Sequence, residues 1–159
     1  GKYFSLDQSL YIIGILNAIG IGLAFYLSWL IHNLKLANVF LLSAILLWQY
    51  SATLKKYPLI GNLIIALLCA LVFAIPVLFE PLLLNPNISA EIKNVVLLYL
   101  KGYAGFAFLT TIIREIVKDV EDMEADKSFG YNTLPVAAGL TAARILSSLL
   151  VLVLMACIG

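Results

Sequence analysis

Hydrophobic residues in this chain fall into five long runs, which short polar segments separate. Each run is long enough to cross the hydrocarbon core of a bilayer, for which about 20 residues of α-helix suffice. The polar segments carry the asparagine, proline and charged residues that are common at helix ends. The pattern predicts five transmembrane helices, at Leu10 to Ile31, Leu36 to Leu54, Leu59 to Leu84, Val95 to Ile113 and Ala142 to Ile158.

The composition supports the same assignment. Of the 159 residues, 63% are hydrophobic and 12% are charged, against roughly 45–50% and 25% in an average soluble domain. The formal net charge of +1 gives no electrostatic basis for binding nucleic acid. Cys69 and Cys157 lie in apolar runs without a second thiol or a histidine at ligand spacing, so no zinc site or disulfide framework is indicated. We therefore expect an all-α, multi-pass membrane protein.

The basic residues predict an orientation in the membrane. With five crossings, one face receives seven basic residues and the other receives two, and an excess of lysine and arginine marks the cytoplasmic side. The larger set is Lys2, Lys55, Lys56, Arg114, Lys118, Lys127 and Arg144, and the smaller is Lys35 and Lys93. Lys101 remains, about two turns into the fourth helix, and is interpreted as a lysine that extends toward the interface.

Six of the nine acidic residues lie between Glu115 and Asp126. If the fourth helix continues past the membrane surface, Glu115, Asp119, Asp122 and Asp126 lie within about 60° of one another on one face. Four carboxylates on one stripe repel each other near a low-dielectric surface unless a cation neutralises them. Magnesium is the natural candidate, because it takes oxygen ligands and keeps positions for water and phosphate.

A solvated interfacial helix is the alternative interpretation of this stripe. In that case the carboxylates pair with Arg114, Lys118 and Lys127, and the stripe alone does not separate the two interpretations. The next segment favours a pocket, because Gly130 breaks the helix and Thr133 begins an immediate return to the membrane. A tight polar re-entry beside an acidic stripe is typical of a pocket rim.

A second polar cluster is predicted on the same membrane face. Tyr50 precedes Lys55 and Lys56 at the end of the second helix, and Asn62 lies just inside the third. Two lysines at a membrane surface are commonly simple anchors, but beside a metal and a diphosphate they can neutralise phosphate oxygens. Asn62 lies within an apolar run and needs a hydrogen-bond partner there.

Two segments resemble motifs of a known family, the UbiA superfamily of intramembrane prenyltransferases. The segment from Lys118 to Val136 reads KDVEDMEADKSFGYNTLPV and is similar to the family's second aspartate-rich motif. The segment from Tyr50 to Asn62 reads YSATLKKYPLIGN and is similar to its tyrosine–lysine motif and the helix start that follows. The wording of the acidic motif is nearest to geranylgeranylglycerol-phosphate geranylgeranyltransferases, which alkylate a glycerol-phosphate lipid.

The resemblance implies a fold of nine transmembrane helices around a central cavity. Residues 1–159 would then be a partial domain that holds the third to the seventh helix. The family's first aspartate-rich motif should end the helix before Gly1 and does not occur in the sequence. Because a complete site is expected to need both acidic motifs, we expect these 159 residues alone to be inactive, whereas the complete protein could be active.

The resemblance also implies an Mg²⁺-dependent reaction. An isoprenoid (polyprenyl) diphosphate would ionise, and a lipid or aromatic acceptor would attack the carbocation, in a prokaryotic cytoplasmic membrane with the acidic motif on the cytoplasmic side. The implied metal ligands are Asp119, Asp122 and Asp126, which with Lys55 are the implied catalytic residues. The implied substrate-binding residues are Tyr50, Asn62, Arg114 and Lys127, with Lys55 among the groups on the phosphates.

Two non-enzymatic functions remain as alternatives. A cation transporter would need further acids deep inside the helices, and the sequence has none there. A non-catalytic assembly protein would be favoured if the sequence upstream of Gly1 lacked the first acidic motif. The aromatic residues of the fourth helix fit either a cavity wall or helix packing, and they are Tyr99, Tyr103, Phe106 and Phe108.

Overall fold

The computed structural model describes residues 5–80 and 88–158, and in these ranges every regular element is a helix. In chain order the α-helices are α1 (Leu6–Leu30), α2 (Ala37–Ala52), α3 (Ile60–Leu78), α4 (Ala90–Glu121), α5 (Met123–Ser128), α6 (Leu134–Ala138) and α7 (Leu140–Ile158). Two 3₁₀ turns flank α2, at Leu34–Leu36 and Leu54–Lys56.

Five of these helices are long and apolar enough to cross a membrane, which confirms the number and the type of the predicted spans. The largest differences in the bounds are in the first, third and fourth helices: α1 begins four residues before the predicted start, and α4 ends at Glu121 rather than Ile113. The sequence predicts a third helix as far as Leu84, but α3 ends at Leu78, and residues 81–84 lie outside the described ranges. The fourth helix begins at Ala90 rather than Val95, because the Ser89 hydroxyl caps it by accepting a hydrogen bond from the Ile92 amide.

The first compact unit comprises residues 1–46 and contains α1, the first 3₁₀ turn and most of α2. Ser5 and Gln8 form a capping box at the start of α1: the Gln8 amide donates to the Ser5 hydroxyl, and the Ser5 amide donates to the Gln8 side chain. At the other end His32 takes a φ of 55° and turns the chain into Leu34–Leu36. Local interactions therefore fix both ends of the first span.

The second compact unit comprises residues 47–159 and contains the main core. In it α4 packs against both α3 and α7. Small residues, Ala66 on α3 and Ala143 on α7, are fully buried in this core and let the helices approach closely, as membrane helices commonly do. Ile112 and Ile116 of α4 complete the contact. Because these isoleucines flank Glu115, the core holds the acidic end of α4 in place.

Large hydrophobic side chains cover the outside of the spans. Tyr11 is 75% exposed, Trp48 71% and Leu98 69%, and many other large apolar side chains are exposed with them. Proteins in water rarely expose so many large apolar side chains, whereas lipid or further membrane helices can cover them. The five spans and this surface identify an integral membrane protein.

The segment between α4 and α7 folds the acidic motif into a compact turn. The predicted stripe of four carboxylates assumes one continuous helix, but α4 ends at Glu121. At Asp122 the backbone has φ −88° and ψ 2°, which departs from α-helical ψ, so the helix is interrupted there and Asp126 belongs to α5. The single continuous stripe is therefore wrong beyond Glu121.

A Schellman motif ends α5. The Tyr131 amide donates to the Asp126 carbonyl at 2.8 Å, and the Gly130 amide donates to the Lys127 carbonyl at 3.2 Å. Gly130 has a φ of +71°, which residues with a Cβ adopt at a cost. The predicted helix break at Gly130 is thus confirmed, and the chain returns at once to the short helix α6.

Candidate active site

Asp119 is held by a side chain from another helix. Asn62, in the first turn of α3, donates from Nδ2 to Oδ2 of Asp119 at 2.8 Å. The amide is buried and the carboxylate, in the last turn of α4, is half-buried. This bond supplies the partner that an asparagine in an apolar run needs, and it joins the two predicted motifs directly.

Asp126 has a partner of its own. The Thr133 hydroxyl donates to Oδ2 of Asp126 at 3.0 Å, across the turn that follows α5. Thr133 is buried at the N-terminus of α6, where its extended backbone begins the helix. The re-entrant turn therefore orients the second carboxylate, as the bond from α3 orients the first.

Tyr50 packs against the start of α3 through a glycine. A Cβ placed on Gly61 would lie 3.0 Å from Cε2 of Tyr50 and 3.1 Å from the Cα of Lys55. Only a residue without a side chain leaves room for this approach. Gly61 thus lets Tyr50 and the Leu54–Lys56 turn lie directly beside Asn62.

The two lysines converge on one aromatic ring. The Nζ atoms of Lys55 and Lys56 lie 5.6 and 5.7 Å from the centroid of the Tyr131 ring, within the range of cation–π attraction. The Asn132 amide donates to the Lys56 carbonyl at 2.8 Å, which ties the same two segments through their backbones. The turn after α2 is thereby docked on the turn after α5.

A buried glutamate lies one helical turn before Asp119. The side chain of Glu115 is only 5% exposed. Its Oε1 lies 3.2 Å from a guanidinium nitrogen of Arg114, and the Arg114 side chain is 73% exposed. Tyr50 interacts electrostatically with Glu115, Asp119 and Asp126. Residues from α2, α4 and α5 therefore share one charged neighbourhood at one end of α3 and α4.

Two of the predicted residues lie at the edge of this cluster. Asp122 is exposed at the junction of α4 and α5, and Lys127 is exposed in the last turn of α5. Among the described residues, neither side chain has a hydrogen bond or an ion pair. The structure thus brings together Tyr50, Asn62, Asp119 and Asp126, with Lys55 on the adjoining turn, and leaves Asp122 and Lys127 outside that set of contacts.

The oxygen donors of the cluster fit a magnesium ion. Asp119 and Asp126 each use Oδ2 in a hydrogen bond, and within the described ranges no protein group bonds the Oδ1 of either. No three acidic, cysteine or histidine side chains in those ranges are grouped closely enough to hold a metal alone. Magnesium commonly binds through one or two carboxylates and fills its other positions with water and substrate phosphate. Two carboxylates with free oxygens meet that requirement.

Three residues of the cluster are absent from the predicted catalytic, metal-binding and substrate-binding residues, although Glu115 belongs to the predicted carboxylate stripe. Thr133 is predicted only as the start of the return to the membrane, Tyr131 has no role, and Glu115 is one member of the stripe. The position of Thr133 directly before Leu134 and Pro135 is a sequence signal for a residue at the start of a short helix. The contact of Tyr131 with Lys55 spans 76 positions in sequence, so no local pattern indicates it.

The fold and this cluster define an integral membrane protein with hydrogen-bonded aspartates and paired lysines at one end of its helices. The chain belongs to the UbiA prenyltransferase family, which matches residues 2–159. This match confirms the family that the sequence predicts by resemblance.

Curated relatives named digeranylgeranylglyceryl phosphate synthase are similar to most of the chain. The protein of Methanosphaera stadtmanae is 36% identical over 145 residues, which cover 91% of this chain and 46% of the relative. The protein of Methanobrevibacter smithii is 32% identical over 152 residues, which cover 94% and 49%. That of Methanopyrus kandleri is 35% identical over 122 residues, which cover 77% and 38%. The chain spans less than half the length of these relatives, and no solved structure matches it significantly.

Proposed function

We propose that the complete protein transfers a prenyl group from an isoprenoid diphosphate to an acceptor within the membrane, in an Mg²⁺-dependent reaction. The observation that carries this proposal is the convergence of two oriented carboxylates, Asp119 and Asp126, with the lysine turn at Leu54–Lys56. Acidic groups for a metal and basic groups for phosphate are what an ionising diphosphate requires.

The aspartates would hold the metal on the diphosphate. Asp119 and Asp126 offer free oxygens, and Asn62 and Thr133 fix their orientation. Asp122 lies between these two aspartates in sequence and is exposed. We propose it as a third ligand only because it belongs to the aspartate-rich motif. Bound Mg²⁺ would neutralise the diphosphate and so make it a better leaving group.

The basic residues would contact the phosphate oxygens. Lys55 is the first candidate, because its ammonium group lies beside Tyr131 on the turn that touches the acidic segment. Arg114 uses one guanidinium nitrogen on Glu115 and keeps further donors, and Lys127 follows Asp126 on the exposed side of α5. Tyr50 would line the cavity next to the reacting end of the donor.

We propose a glyceryl phosphate lipid as the acceptor and a geranylgeranyl diphosphate as the donor. The support is the name of the relatives, which describes a glyceryl phosphate with two geranylgeranyl groups. An aromatic acceptor is the alternative within the family. Mass spectrometry of lipid extracts from membranes supplied with both acceptors distinguishes these alternatives, because only the true acceptor gains the mass of the prenyl group.

We further propose that residues 1–159 are the third to seventh of nine spans, with the acidic end at the cytoplasmic face of a prokaryotic membrane. The support is the uneven distribution of basic residues between the two faces and the chain's coverage of less than half of its relatives. On this proposal the activity belongs to the complete protein.

Prenyl transfer in membranes that carry the complete protein tests the proposed function. Asp119→Asn and Asp126→Asn each remove a metal ligand with little change in shape, and we expect transfer to fall by about 100-fold or more. Glu124→Gln, an exposed acid in the same segment, is the matched control and should stay near the wild-type rate. Undiminished transfer by both aspartate variants would refute the metal assignment.

A further inference from the structure

An apolar groove lies far from the acidic cluster, along the first half of α4 and the end of α7. Its volume is about 590 Å³, and its walls include Leu98, Tyr103 and Leu154. The Tyr103 ring stacks on Phe73 of α3 with 5.9 Å between ring centroids, which fixes one wall. Among the described residues that line the groove, the charged one is Lys101. Lys101 precedes Asp119 by 18 residues, about 27 Å along the helix, so this groove is separate from the proposed active site.

The lengths of α4 and of the hydrocarbon core put the backbone of Lys101 near mid-depth, deeper than its interpretation as a lysine that extends toward the interface assumes. Helix α4 has 32 residues and is about 48 Å long, whereas the hydrocarbon core is about 30 Å thick. Its charged segment from Arg114 onward and its polar start before Val95 fit outside that core. The part between them is centred near Ala104, about 4–5 Å from Lys101. The nearer boundary, at Val95, is about 9 Å away, and a four-carbon stem covers only part of that distance.

The described part of the chain gives Lys101 no counter-charge. No hydrogen bond or ion pair of its ammonium group occurs there. The nearest acids along α4 are Glu91 and Glu115, about 15 and 21 Å away along the helix axis. The other acids of the sequence also lie at or beyond the ends of the spans, so a second copy of these residues would bring no carboxylate to this depth. A carboxylate at mid-depth must come from outside these 159 residues.

The floor of the groove suits a helix better than a lipid. Gly102 and Gly105 flank Lys101 there, and a Cβ on either would meet nothing within 4 Å. Bare glycines let a second helix come close, which is how membrane helices gain packing energy. An anionic lipid keeps its headgroup at the interface, which Lys101 approaches only by extending its stem, whereas a helix can place a carboxylate at the depth of the lysine itself.

We propose that Lys101 and this groove bind a transmembrane helix, from outside residues 1–159, that carries an aspartate or glutamate at the depth of Lys101. The paired charges satisfy each other in a medium where either alone is costly. The apolar walls exclude water and lipid headgroups from the pair. This inference requires only that α4 spans the membrane, so it does not depend on the proposed reaction.

Thermal unfolding of the complete protein in detergent shows whether Lys101 is paired with a carboxylate. Loss of a paired lysine lowers the unfolding temperature, whereas loss of an unpaired one leaves it unchanged or raises it. If Lys101 is paired, Lys101→Met leaves an unmatched buried carboxylate and should lower the unfolding temperature by about 5–10 °C. Lys101→Arg keeps the charge and should stay near wild type. Lys35→Met removes an exposed lysine at the end of a span and is the control. An unchanged or raised unfolding temperature for Lys101→Met overturns the proposal.

Cross-linking identifies the partner directly and also works where the methionine variant fails to fold. A membrane-permeant carbodiimide joins an amine to a carboxylate in contact with it, and peptide mass spectrometry locates the bond. We expect Lys101 to be linked to an acid within a transmembrane segment. A link to an acid in a loop, no link at all, or an anionic lipid that co-purifies with wild type but not with Lys101→Met would each overturn the helix assignment.

Discussion

Asn62 is a buried amide whose one side-chain bond reaches the acidic segment. Its replacement by leucine leaves Asp119 half-buried without the donor that orients it. A hydrogen bond to a charged group contributes about 1.5–3 kcal/mol. We therefore expect Asn62→Leu to lower prenyl transfer roughly tenfold or more and to raise the Mg²⁺ concentration needed for half-maximal transfer. A magnesium titration of the membrane assay measures both.

Asn17 provides a matched control for that substitution. It also donates from Nδ2, but to the Ile13 carbonyl of its own helix, and it is exposed. Asn17→Leu should leave the rate and the magnesium requirement unchanged. Equal effects of the two substitutions, or a normal magnesium requirement in Asn62→Leu, would mean that the bond to Asp119 does not serve metal binding.

At the residue scale, the sequence indicates which side chains belong to the site, but it does not indicate which hydrogen-bond partners they have. The need of Asn62 for a hydrogen bond follows from its apolar surroundings, yet its partner is 57 positions away. Nothing local distinguishes Asp119 from Asp122 as that partner. The choice is made when α3 packs on α4 around Ala66 and Ile116, and packing of this kind is not encoded in the spacing of one helix.

At the scale of elements, the turn after α2 and the turn after α5 are joined through Tyr131. Its ring lies within about 6 Å of two ammonium groups that would otherwise repel each other. Tyr131→Leu removes the ring, so we expect a looser lysine turn and a several-fold higher KM for the diphosphate donor. Steady-state prenyl transfer at varied donor concentration measures the change.

Tyr131→Phe is the informative companion variant. It keeps the ring and removes only the hydroxyl, so the KM should stay near the wild-type value if the cation–π contacts matter. The backbone bond from Asn132 to Lys56 remains in both variants. A KM that rises equally in the phenylalanine and leucine variants would assign the effect to the hydroxyl instead.

The elements themselves follow from the sequence wherever length and hydrophobicity decide them. Each of the five apolar runs forms a helix, and Gly130 ends α5 because its positive φ completes a Schellman motif. The interruption at Asp122 is not predictable in this way. Asp122 can continue a helix as well as end one, and the docking of α5 and α6 against α4 decides between them.

At the scale of the whole molecule, the second compact unit combines a charged cluster at one end of its helices with exposed apolar side chains along them. Six of the nine acids and the paired lysines lie near the start of α3 and the end of α4, and large aromatic and aliphatic side chains are exposed along the spans. The proposed prenyl transfer needs that combination, because the diphosphate must be neutralised and the prenyl chain must stay in an apolar phase.

The distribution of basic residues predicts that the charged end of α4 lies on the cytoplasmic side of the membrane. Ser128 follows its charged end and Glu91 lies in its first turn, and both are exposed. In a complete protein whose native cysteines, including Cys69 and Cys157, are replaced by alanine, a cysteine at either position can be labelled from one side of the membrane. We expect a membrane-impermeant maleimide added to intact cells to label Glu91→Cys, and Ser128→Cys only after permeabilisation. Labelling of both in intact cells would mean that α4 does not cross the membrane, and the reverse pattern would place the acidic cluster outside, against the distribution of basic residues.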